Sequence, residues 1–459
     1  PCSETRMNRE LIRLLAYLDE PSVIPALLRE LGGKASDVEK LHAALCARFI
    51  TRGWTTDQRL ALLEFYEQVG HQEGGHSFAG YIENISKDFF AQFDDDQRRR
   101  VLAEGERWPT AALSVLATIE KPSPQIVSQL IQLDQQLAGF DNDAARKLQT
   151  GIIAVLSSSN SNEAFQYLRR AYERWPERRD ELAMGLAQSP GGENWPILLR
   201  SLSVVDGMAA EEVLAQLSKA NQTTTEPEPV RQVILCGLRL KDSGGQHAVA
   251  LLNKWVGTNV NESDDAWDAA LTKWQEWYVR TYPDAIPAEL PVESETSKWT
   301  YQELTAFLNS DEAVHGQASR GAIVFDKAQC VRCHRFGGRG EGIGPDLSTV
   351  GQRFQKKEIL QSIIHPSQVI SDQYASKTVT TVKGRSYTGI VGSGGPAMVI
   401  VLQPNGEKVA IAKDQIDEIA PSPKSAMPDG LLDTLTLDEI ADLFAYLTAQ
   451  PSRVTQRSR

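Results

Sequence analysis

The chain has 459 residues, 41% hydrophobic and 24% charged, with a formal net charge of -12. That length predicts two or three domains rather than one core, and the composition is that of a globular protein. The acidic balance repels phosphate and so excludes nucleic acid as the expected partner. No apolar run is long enough to cross a bilayer, and no signal-peptide pattern precedes the first helix. Pro1 is therefore expected not to be the biological start, the chain being a mature form or the C-terminal part of a longer one.

From residue 5 to about 285 the sequence reads as helix after helix. RELIRLLAYL, VIPALLRELG, QRLALLEFYEQVG and NEAFQYLRRAYERW have helical apolar spacing, and Pro, Gly, Asp or Asn separates them. In EPVRQVILCGLRL the residues Val230, Val233, Ile234, Gly237 and Leu238 recur at that spacing, and QHAVALLNKWVG repeats it after the breaker DSGG. Such pairs recur very roughly every 35–45 residues, which predicts a HEAT- or armadillo-like α-solenoid, because one pair cannot bury its own apolar face. No catalytic constellation is evident here. His42, His71, His76 and His247 stand in unrelated contexts. Cys46 and Cys236 read as small buried apolar residues. A Cys2–Cys46 disulfide is open to an oxidising compartment, but nothing requires it. Trp267, Trp274, Trp277 and Tyr278 then form a stripe expected to be core or a domain interface. Pro283, Pro287, Pro291 and the polar VESETSK place a boundary near residue 295, so residues 1–295 are the helical domain and 296–459 a second one.

The second domain opens with the helical pattern GQASRGAIVF and then CVRCH, residues 330–334. A thioredoxin-like CxxC would follow a strand, and a zinc ribbon needs a second ligand pair; neither is present. Two cysteines spaced by two residues, with histidine next, suit thioether attachment of one haem c, His334 being the proximal iron ligand. Downstream come GPDL, residues 344–347, and IIHPS with His365. The strand patterns KTVTTV, SYTGIVG, AMVIVL and KVAIA follow, separated by the turns KGR, GSGGP and PNG. They predict a small antiparallel sheet over about 376–412. KSAMPDGLLD then offers Met427, with His365 as the competing sixth ligand. The closing helix TLDEIADLFAYLTAQ begins with a capping box of Thr436 and Glu439, and Leu437, Ile440, Leu443, Phe444 and Leu447 mark its apolar face.

These motifs resemble the small cytochromes c. That likeness implies that the Pro345 carbonyl accepts the second ring N–H of His334, and that Leu347 packs on the haem. It also implies that Met427 ligates late in the chain, and that Gly321 and Tyr446 mark the crossing of the first and last helices. The separation of His334 from Met427, 427 − 334 = 93 residues, exceeds what such a domain needs, and the predicted sheet accounts for the excess. The whole run GAIVF…CVRCH…GIGPDLSTVG…ILQSIIHPSQVI…VKGRSYTGIV…KSAMPDGL is similar to the planctomycete-type haem-binding (cytochrome c) domain. The likeness covers about residues 313–450. That domain commonly ends membrane-bound dehydrogenase-like proteins, and WDAALTKWQEWYVRTYPD resembles the segment joining it to helical repeats. His365 stands where an acidic residue is more usual. No dehydrogenase propeller precedes it in this sequence.

The expected fold is therefore mainly α: a HEAT-like solenoid, then a class I-like cytochrome c domain with an inserted sheet. The expected function is mono-haem electron transfer, periplasmic or otherwise exported, with a redox partner protein or a dehydrogenase domain as donor. Cys330, Cys333, His334, Pro345, Leu347 and Met427 are the expected cofactor-binding residues. The chain is read as an electron-transfer module rather than an enzyme. The alternatives are a haem enzyme (peroxidase or dehydrogenase component) and a repeat scaffold with a structural metal.

Overall fold

The computed structural model describes residues 5–70, 82, 85–86, 88–140, 142–257, 260–262, 265–291, 297–368, 374–422 and 424–449. Cys2, His71, His76 and most of the polar segment near residue 295 lie outside the described residues. The chain forms two compact units, Pro1–Arg169 and Arg170–Arg459.

The first unit is helical, and its described residues contain no strand. Its helices include Thr5–Tyr17, Ile24–Leu31, Asp37–Ala47, Thr56–Gly70, Asp95–Ala103, Pro109–Leu116, Pro124–Leu137 and Asp143–Ser158. Polar residues and proline set where they start. Asp94 accepts from the Gln97 amide, and Ser123 and Asn142 cap the helices beginning at Pro124 and Asp143. The apolar faces meet in a core that includes Leu62, Leu63, Phe89, Leu130, Leu148 and Ile152. Cys46 is buried too, and burial raises its thiol above the ordinary value. It is an apolar filler rather than a nucleophile.

The second unit continues with helices Arg179–Ala187, Trp195–Ser201, Gly207–Lys219, Pro227–Leu240, Gly245–Val256 and Trp267–Thr281. Trp274 and Tyr278 of the aromatic stripe are fully buried, and Trp277 meets Trp274 edge-on at 5.2 Å. The helices after residue 297 belong to the same unit. Buried Arg179 forms a two-pronged pair with Glu358 (2.9 and 3.1 Å) and donates to the Arg353 carbonyl at 2.7 Å. Fully buried Arg231 donates to the carbonyls of Pro287 and Gln368. A guanidinium fork that saturates several acceptors at once offsets the cost of burying its charge.

Helices Tyr301–Leu308, Ala318–Lys327, Lys356–Ile364 and Leu437–Thr448 surround one apolar cluster that includes Phe325, Leu360, Leu435, Leu443 and Phe444. Thr436 caps the last helix in a capping box with Glu439. The Ala318–Lys327 and Leu437–Thr448 helices cross at Gly321. A Cβ there would lie 2.0 Å from the Asp442 carbonyl oxygen and 2.6 Å from the Tyr446 Cβ. Beside the crossing, the buried Asp442 carboxylate accepts from the Gln317 amide (2.7 Å) and from Arg320 Nε (2.6 Å) and Nη2 (2.8 Å). The Arg320 hydrogen bond is the main reason its carboxyl titrates below the usual range. A carboxyl depressed in the folded state contributes stability above its unfolded pKa and loses it as pH falls through the folded value. Asp442→Asn is therefore expected to lower thermal stability at pH 7 and to flatten its decline below about pH 4, measured by melting curves across pH.

Two short strands, β1 (Arg335–Phe336) and β2 (Arg339–Gly340), pair antiparallel just after the first of these crossing helices. The larger sheet falls in the chain between the Lys356–Ile364 helix and the last helix. It has five antiparallel strands: β3 (Ser376–Thr381), β4 (Ser386–Ser393), β5 (Met398–Leu402), β6 (Lys408–Ala412) and β7 (Ile416–Pro421), in the order β6-β5-β4-β3-β7. The expected sheet ended near 412 with four strands, and β7 is the correction. Asp417 and Glu418 interrupt its apolar alternation, and its position at the sheet edge lets that side face water.

Candidate functional site

The Ala318–Lys327 helix ends before the cysteines. Gln329 adopts a left-handed conformation at φ 61°, unusual for a residue with a Cβ, and turns the chain into a short 3-10 segment, Cys330–Arg332. The amides of Cys333 (3.1 Å) and His334 (2.9 Å) both donate to the Cys330 carbonyl, closing CVRCH into one turn. The glycine-rich loop then folds back over it. Glu341 donates to the Val331 carbonyl, and Ile343 and Gly344 donate to that of Cys333. Gly340 sits at φ 97°, where a Cβ would be 2.2 Å from the His334 carbonyl oxygen, so only glycine lets the loop approach this closely.

His334 is held from two sides. Its Nδ1–H donates to the Pro345 carbonyl at 2.9 Å. A carbonyl can only accept, so the proton is on Nδ1, and in the neutral ring the Nε2 lone pair is left for a Lewis acid. Gly344 lies against the ring: a Cβ there would be 2.8 Å from Cε1 and 3.0 Å from Nδ1. Burial lowers the imidazole below the ordinary histidine value, the Pro345 carbonyl acting in the opposite direction. The neutral, ligating form is thus the one present near pH 7. Burial also pushes the Cys330 thiol up to about 12 and raises that of Cys333.

The remaining candidates lie around the same apolar cluster. Cys330, Val331 and Leu347 border it near the CVRCH turn, and Trp299, Ile363 and Ile364 border it elsewhere. Met427 is half-buried, and its amide donates to Ser425 Oγ. The Ser425 amide in turn donates to Ser367 Oγ, two residues beyond His365, so the Met427 loop lies against the IIHPS turn. His365 ends the Lys356–Ile364 helix, its ring centroid 6.2 Å from that of Tyr301. A small cleft opens here, lined by Ser297, Trp299, Ile363, Ile364 and residues 430–433. Neither the two cysteines nor His334 line it.

The donor set fits a c-type haem. Two thiols sit on one turn, and a histidine presents Nε2 with its tautomer fixed from behind and its ring wedged by a glycine. A tetrahedral zinc site fits less well. Among the described residues no three His, Cys, Asp or Glu side chains converge to hold a metal ion. Nothing in the spacing of Trp299 or Asp433 marks them in the sequence, yet both belong to the cleft.

Comparison with known proteins agrees with the geometry. Residues 318–387 match the cytochrome c family model. The matched segment contains Cys330, Cys333, His334, Pro345, Leu347 and His365, and ends before Met427. It supports a haem-binding domain with haem-based electron transfer. No curated protein matches the chain. Among the described residues no helix is long and apolar enough to cross a membrane.

Proposed function

We propose that this chain is an exported mono-haem electron carrier: a class I-like cytochrome c domain, residues 296–459, on a HEAT-like helical scaffold, residues 1–295. The observation that carries this reading is the closed CVRCH turn with His334 fixed by Pro345, inside the segment that matches cytochrome c. Cys330 and Cys333 are the thioether anchors, His334 Nε2 the proximal ligand, and Met427 the distal ligand, with His365 as its competitor. When bound, the haem supplies reversible one-electron chemistry. The chain's own residues do the rest. Pro345 keeps the proton on Nδ1, Gly344 fixes the ring plane, and Leu347 with the apolar cluster excludes water. A thioether sixth ligand favours ferrous iron and raises the potential relative to a second imidazole. The partner is a redox protein or a dehydrogenase domain in the same system, and the helical repeats offer it a docking surface.

The test is a pyridine haemochrome spectrum of the full chain made alongside haem-attachment machinery. A c-type spectrum is expected, and its absence overturns the reading. Met427→Ala should abolish the thioether-to-ferric-iron charge-transfer band while haem stays attached. A spectrum that ignores Met427→Ala and responds to His365→Ala would move the distal ligand to His365.

A further inference from the structure

The segment just before the cytochrome-like helices is sewn to the loop that follows Met427. Asp433 Oδ1 accepts from Ser297 Oγ (3.2 Å) and from the Lys298 amide (3.1 Å). The Leu435 carbonyl accepts from Lys298 Nζ (2.7 Å) and from the Trp299 indole N–H (3.3 Å). The Lys298 ammonium also lies over the Trp299 ring, 4.6 Å from its centroid, which fixes the indole plane. Trp299, Gly430 and Asp433 then line the cleft together with Ile363 and Ile364. Gly430 has φ 74° and accepts the Asp433 amide at its carbonyl, so the loop turns sharply three residues after Met427. On its other side, hydroxyl contacts at Ser425 and Ser367 hold the loop.

We propose that Ser297–Trp299 is a strap that positions the Met427 loop, with Asp433 as its anchor. The proposal rests on the haem reading above. Residues 297–299 lie outside the family match, so the strap makes the junction with the helical part a component of the electron-transfer site. Asp433 and Trp299 are positioning residues in this reading. They act through Met427 by limiting how far its loop swings away from iron.

The test uses the full haem-loaded chain and three variants: Asp433→Ala, Asp433→Asn and Trp299→Phe. Asp433→Ala removes two hydrogen bonds to the strap, which at their usual net worth corresponds to about a tenfold shift in the loop equilibrium. Haemochrome content should be unchanged. The thioether-to-iron band should weaken at temperatures well below unfolding, the midpoint potential should fall, and added imidazole should bind about tenfold tighter. Asp433→Asn keeps the accepting oxygen and should restore the band and the imidazole affinity. Trp299→Phe keeps the apolar wall, loses only the indole donor, and should show a smaller shift in the same direction. An unaltered band, potential and imidazole affinity in Asp433→Ala would overturn the strap while leaving the haem reading intact. Absence of c-type haem in the unsubstituted chain would overturn the haem reading, and the strap with it.

Discussion

His334→Ala is expected to yield a folded chain that still carries covalently held haem but has lost the parent's low-spin absorption bands. The two thioethers hold the porphyrin whether or not the iron has its histidine, so the substitution removes a strong-field imidazole and leaves the attachment. The fold itself does not need the imidazole. The turn is closed by backbone hydrogen bonds to the Cys330 and Cys333 carbonyls, in which the ring takes no part. The turn should therefore survive, with Gly344 facing a void where the ring was. Absorption spectra of the oxidised and reduced variant, normalised to its haemochrome content, with circular dichroism as the folding control, check this. Parent-like low-spin haem in the variant would mean that His334 is not the proximal ligand.

Gly321→Ala should be among the most damaging single methyl groups in the second unit, in the class of Gly389→Ala, whose added carbon would lie 1.8 Å from the Leu402 carbonyl oxygen. The added carbon would sit 2.0 Å from the Asp442 carbonyl oxygen, a backbone atom that moves only if the Leu437–Thr448 helix moves. Overpacking a tight contact costs about 1–3 kcal/mol, and a clash with backbone belongs at the upper end. For a unit as long as Arg170–Arg459, with about 2.1 cal/mol/K of unfolding entropy per residue, that is roughly 5 °C in melting temperature. The shift would also disturb Phe325 and Phe336, whose rings pack 5.6 and 4.3 Å from that of Tyr446. Because Phe336 lies two residues from His334, the damage should reach the haem spectrum as well. A variant that melts with the parent would show that the two helices cross elsewhere.

What could be read from the sequence was local. Helices announced themselves by apolar spacing and by their caps, and CVRCH by the fixed distance between two thiols and an imidazole. The crossing at Gly321 and Tyr446 came from likeness to small cytochromes c, since a lone glycine in a helical pattern says nothing about what approaches it. The rest depended on distant residues. Arg179 and Glu358 look like ordinary surface charges on two helices, and only the fold brings them together. The strand β7 was hidden because edge strands tolerate acidic residues that break alternation. Asp433 and Trp299 lack a pattern because each is defined by the other's neighbourhood.

The five-stranded sheet has a consequence for how this protein can be altered. Its chain enters at β3 and leaves at β7, and those two strands pair, Lys377 opposite Pro421, with the Ser422 amide donating to the Ser376 carbonyl at 2.9 Å. The entry and exit points are thus adjacent, about 5 Å apart as in any antiparallel pair. One or two residues can bridge such a gap. The sheet also has its own small core of Val379, Val401 and Ile411. Strands β3 and β7 form its stem, so the residues between Ser376 and Ser422 can be shortened without lengthening the path to Met427, while the turn at Gly406, where a Cβ would lie 3.4 Å from the Arg332 guanidinium, keeps the sheet against the CVRCH turn. The same stem is a place to graft a binding module beside the haem site while the terminal helices stay crossed.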